Sequence, residues 1–168
     1  MREELLAEPT LRTRLADRPA PPLLAPLVGP PLAPADADGL DLILEGFLAH
    51  HGRPRDLAPA GRDADVLAGD FCYAAGLVRV ARSGDVFVVA ALAELVALSA
   101  GLVADGRAEL LPVLWRAVAA VVAHPDRAWA EDAWERALAA ARAGGGAAEL
   151  EALGAGVGDV PALAEALA

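Results

Sequence analysis

Gly61-Arg-Asp-Ala-Asp-Val-Leu-Ala-Gly-Asp-Phe-Cys-Tyr-Ala-Ala-Gly-Leu-Val-Arg-Val-Ala-Arg82 decides the fold. Asp63 and Asp65 fall in the first turn of the helix this spacing predicts, Arg79 and Arg82 fall in its last, and Ser83-Gly84 stops it. The charges therefore complement the helix dipole at both ends. Val66, Phe71, Leu77 and Val80 supply apolar bulk. Gly69 and Gly76, seven apart, share a face whose missing side chains would let another helix approach closely.

Periodicity and punctuation mark four further helices. Leu40, Ile43, Leu44, Phe47 and Leu48 recur at helical spacing after Asp38, a candidate cap, until Gly52 and Pro54 end the run. Val86 to Ala104 has only Glu94 and Ser99 as polar residues, so its length and composition raise a membrane span. The central acid Glu94 opposes insertion and favours a buried bundle helix. Leu110 to Ala123 and Ala128 to Ala143 are separated by His124-Pro125-Asp126, where a proline and a carboxylate mark a fresh start. No strand pattern competes with these helices, and the expected fold class is all-α, a helical bundle.

The ends read differently. Residues 3–17 suit a short amphipathic helix. Seven of the 13 prolines then fall between Pro19 and Pro34 and point to an irregular arm. Gly144-Gly145-Gly146 interrupts the helical pattern, and Gly154, Gly156 and Gly158 punctuate the C-terminal residues. The expected organisation is an N-terminal helix and proline-rich arm at 1–36, a bundle at 37–143, and a glycine-rich tail with a short helix at 144–168.

Composition removes much chemistry. Among 168 residues there is no lysine, asparagine or glutamine, which excludes a Schiff-base lysine and an amide oxyanion donor. Fourteen arginines face 24 acids, for a net charge of −10, and no basic stripe suggests nucleic acid. Cys72 is alone, so no internal disulfide forms, and a reducing cytoplasm fits best. The N-terminus lacks the apolar core of a secretory signal. Ser83 and Ser99 have no nucleophile context, and His50, His51 and His124 have no metal-ligand spacing. The residues offer no catalytic group and no metal site. Trp115, Trp129 and Trp134 suit core filling or interface anchoring.

Asp41-Leu-Ile-Leu-Glu45 and His50-His51-Gly52-Arg53-Pro54 carry a resemblance when taken with the Leu67-Ala-Gly-Asp-Phe71 helix and Ala81-Arg-Ser-Gly-Asp85. Over about residues 41–103 the chain resembles the trans-isoprenyl diphosphate synthase family, in which an Asp-Asp-x-x-Asp helix precedes Arg-Arg-Gly-x-Pro and a Gly-Asp-aromatic helix. Asp41, Leu42 and Glu45 fall on the three aspartate positions, and His50 and His51 on the two arginines that grip diphosphate. The second aspartate-rich motif and the lysine of catalytic members are missing.

In size and in these losses the chain is most similar to the non-catalytic small subunits of heteromeric hexaprenyl and heptaprenyl diphosphate synthases. The resemblance implies a truncated isoprenoid synthase fold, inert alone, joined to a catalytic partner that binds Mg²⁺, allylic primer and isopentenyl diphosphate. The product would serve a quinone side chain such as that of menaquinone. Gly69, Asp70, Phe71, Tyr73 and Gly76, with the apolar helix from Val86, are the candidate partner interface. No cofactor is expected on this chain itself. The competing reading is an all-α self-associating binding or scaffold module without prenyl chemistry.

Overall fold

The computed structural model describes residues 1–28 and 32–168 of the chain; Gly29, Pro30 and Pro31 of the proline-rich segment lie outside the described residues. Five long helices carry the architecture: α4 (Pro34–His51), α5 (Arg62–Ala81), α6 (Val86–Ala104), α7 (Leu111–Ala123) and α8 (Arg127–Arg142). Shorter ones flank them: α1 (Arg2–Ala7), α2 (Pro9–Arg12), α3 (Ala25–Val28), α9 (Ala147–Gly154) and α10 (Pro161–Ala166). Among the described residues there is no β-strand, only an isolated bridge between Leu15 and Leu57. The all-α class is therefore established.

α4 is the central helix. Pro34 supplies a preset first turn, and Gly52 N–H closes the end on the Leu48 carbonyl at 2.9 Å. Every residue from 39 to 49 is buried, so the helix is enclosed on all sides. Its main neighbour is the antiparallel α5, which presents Ala68, Gly69, Cys72, Gly76 and Val80 at steps of about four.

α4 begins four residues before Asp38, so this aspartate caps nothing and instead pairs with Arg79 at 3.4 Å. In α6, Asp85 caps the Val88 amide at 3.3 Å. In α8, Asp126 caps the Trp129 amide at 3.1 Å. α6 is long and apolar enough to cross a membrane by composition, with mean hydropathy 2.4. In this fold Val88, Leu92, Leu95 and Leu102 pack into the core, and Glu94 pairs with Arg142 of α8.

Two expectations for the N-terminal segment are corrected. Residues 3–17 form two short helices, because Pro9 lacks an N–H and forces Glu8 into extended backbone (φ −88°, ψ 112°). The proline-rich segment is no free arm: Leu23, Leu24, Val28 and Leu32 are core residues. Each such burial contributes about 1.5–3 kcal/mol, enough to offset the ordering of a chain that prolines already restrict.

The C-terminal segment is likewise built in. Gly146, at φ 88°, turns the chain back where other residues would be strained, and α9 packs along α7 with Leu150 fully buried. Leu163 and Leu167 complete the core beside it.

Candidate functional site

Asp41 and Glu45 lie one turn apart on α4, as the spacing predicts, and both are buried. Their oxygens are occupied. Asp41 Oδ1 accepts from the Leu23 and Leu24 amides at 2.7 and 3.2 Å, and Oδ2 from the Ala25 amide at 2.8 Å. Glu45 Oε2 accepts from Arg55 N–H at 2.9 Å, and Oε1 from the amides of Asp56 and Leu57 at 2.8 and 3.0 Å. The pair thus fastens two connecting segments, residues 23–25 and 55–57, to the central helix. Leu42, between them, points into a second apolar cluster with Leu5, Leu11, Leu57, Ala68 and Cys72.

A third buried acid, Asp56, accepts from the Ala20 amide at 3.2 Å and faces Arg2 at 4.0 Å. Burial raises the Asp56 carboxyl above its ordinary value, and burial likewise raises Glu45 despite its three amide bonds. These carboxylates do not fit Mg²⁺. An ion would need the lone pairs that six backbone amides already hold, and those N–H dipoles would point their positive ends at it. Among the described residues no group of three or more His, Cys, Asp or Glu could hold a metal.

The two histidines close α4 and diverge. His50 lies over Tyr73, ring centroids 5.2 Å apart, with Nε2 3.2 Å from Asp70 Oδ1. Burial, then the neighbouring Asp70, pushes the Tyr73 hydroxyl up. His51 is exposed and packs its ring on Phe47 at 4.9 Å. Burial of its ring, then His50 and Arg62, holds His51 below its ordinary value. His51 and Arg53 stand at the mouth of a cavity of about 640 Å³ floored by Phe47, Leu111 and Leu167.

The candidate interface on α5 divides. Gly69 and Gly76 are turned toward α4, so the close approach they permit is made by the same chain, and they are withdrawn as partner contacts. A Cβ on Gly76 would meet Gly39 O at 2.6 Å, and one on Gly69 would meet Gly46 O at 2.9 Å. Phe71 and Tyr73 are half-buried, and Asp70 is exposed. Leu67 and Val78, 70% and 60% exposed, continue the Asp70 face at helical spacing.

Sequence reasoning missed Gly39 and Gly46, although their seven-residue spacing repeats that of Gly69 and Gly76. It also missed Asp56 and the groove between α6 and α8, which no local pattern marks. Comparison of the chain with family models, curated proteins and solved structures returns no match.

Proposed function

We propose that the chain is a non-catalytic regulatory subunit that associates with a catalytic prenyl diphosphate synthase subunit and supports long-chain polyprenyl diphosphate synthesis. The observation that carries this reading is the fate of Asp41 and Glu45. At the helix positions where the resembled family holds its metal-binding aspartates, this chain has two carboxylates spent on backbone amides. They serve as fasteners, and the diphosphate chemistry falls to a partner with its own Mg²⁺ site in the cytoplasm.

The outward face of α6 supports association. Val86, Ala90, Ala93, Ala97 and Ala104 are exposed along it without a charge among them. This face offers apolar area to a second protein, and Leu67 and Val78 of α5 are further exposed apolar side chains.

Incorporation of radiolabelled isopentenyl diphosphate with Mg²⁺ tests the proposal, using this chain, the candidate partner and the mixture. Long product is expected from the mixture alone. Undiminished long-chain synthesis by the partner by itself rejects it.

The same alanine-rich face of α6 also suits a second copy, which is the all-α self-associating module. Sedimentation would then give a stable homo-oligomer unaffected by the synthase.

A further inference from the structure

α6 and α8 flank a groove of about 540 Å³. Its floor is apolar, formed by Phe87, Trp134 and Leu138. The α6 lip consists of Val86, 80% exposed, and Ala90, followed by Glu94, whose charge is taken up by Arg142. The α8 lip is acidic, with Glu131 and Glu135 one turn apart.

The pattern of ion pairs singles out these two glutamates. Arg142, at one end, is neutralised by Glu94. Arg127, at the other, pairs with Asp85 at 2.7 Å and lies over the Phe87 ring at 4.7 Å. Arg136 is held by Asp132 on the next face of α8. Among the described residues, Glu131 and Glu135 have no cation within ion-pair distance, so the groove keeps an uncompensated negative edge beside an apolar floor.

From this geometry we propose that the groove docks a basic amphipathic helix of another protein. An apolar stripe would fill the floor over Phe87 and Trp134. Arginines or lysines one turn apart along its edge would meet Glu131 and Glu135, which share that spacing. A second copy of this chain, with net charge −10, would bring like charge to an acidic lip. Anionic lipid headgroups are disfavoured for the same reason. The proposal goes beyond the subunit reading and does not depend on it.

The test uses three fluorescent peptides of about 18 residues, long enough for a helix. One is a Leu/Arg amphipathic helix, one has the same composition scrambled to destroy the stripe, and one is a Leu/Glu counterpart. Anisotropy is read at about 0.15 M salt, where unspecific attraction is screened.

The amphipathic basic peptide is expected to bind at least about tenfold more tightly than either other peptide. Glu131→Arg with Glu135→Arg should weaken it by about tenfold or more, whereas Glu109→Arg with Glu149→Arg, exposed and remote, should change it less than about twofold. Ala139→Trp, at an exposed position on the groove wall, should block binding without lowering the melting temperature. Equal losses in the two charge-reversed proteins, equal binding of the scrambled peptide, or full binding by the tryptophan variant would each overturn the assignment. A homodimer dissociated by Ala139→Trp would do so as well, by placing a second copy in the groove.

Discussion

Gly39 and Gly76 face each other across the antiparallel α4 and α5, so close that a Cβ on either would stand within 2.7 Å of the other's carbonyl oxygen. Gly46 and Gly69 repeat the arrangement two turns away, each Cβ position 2.9 Å from the opposite carbonyl. Glycine on both helices at the same interval brings the backbones together and helps bury α4 from residue 39 to residue 49.

Gly76→Ala or Gly46→Ala should therefore cost about 1–3 kcal/mol, because backbone rather than a movable side chain blocks the methyl. Gly101→Ala, in α6 with nothing within 4 Å of its Cβ position, should instead gain about 0.5–1 kcal/mol from helix propensity. Urea midpoints of the three proteins check both signs. A neutral Gly76→Ala would place the close approach elsewhere.

Asp41 fastens residues 23–25 to the central helix, and removing its carboxylate strands three amides. Asp41→Ala should cost about 3 kcal/mol or more, and Asp41→Asn about half that, since one carbonyl oxygen survives. Hydrogen exchange at Leu23, Leu24 and Ala25 should rise in both. Unchanged protection there would show that the acid does not hold the segment.

Burial lifts the Glu45 carboxyl above its ordinary 4.5 and prevails over three amide bonds that pull it down. Between 4.5 and the raised value the folded chain keeps a proton that the unfolded chain has lost. This site's contribution to stability is accordingly greatest below pH 4.5 and declines as pH rises through the folded value. Carboxyl-carbon NMR should give a Glu45 midpoint above 4.5, and Glu45→Gln should flatten the fall in urea midpoint over that range. A midpoint below 4.5 would mean that the amide bonds win.

Legibility of the sequence tracked the range of the interaction. α5, α6, α7 and α8 were marked by local caps, dipole charges and prolines, and each starts and stops within a residue of its signals. Burial of the proline-rich segment is not legible, because prolines report on backbone regularity and say nothing of burial; Leu23, Leu24 and Leu32 fill the core from irregular backbone. Asp41 and Glu45 were found as a pair, but their partners sit ten to eighteen residues away, and an amide donor leaves no mark on its side chain. Nothing local marks Glu131 and Glu135 as the lip of a groove, because its opposite wall comes from α6.

Cys72 supplies a direct probe of the second apolar cluster, where it is fully buried beside Leu5, Leu11 and Leu57. Burial, followed by the charge of Glu45, pushes its thiol up to about 12. At pH 8 the thiolate fraction is then on the order of a thousandfold below that of a free thiol near 8.5, and access is closed as well. Iodoacetamide should leave the native chain unmodified over hours and alkylate it within minutes in urea, as mass spectrometry would record. Leu5→Ala opens the cluster from the N-terminal side and should restore measurable labelling before global unfolding. Labelling as slow as in the parent chain would show that α1 does not seal the thiol.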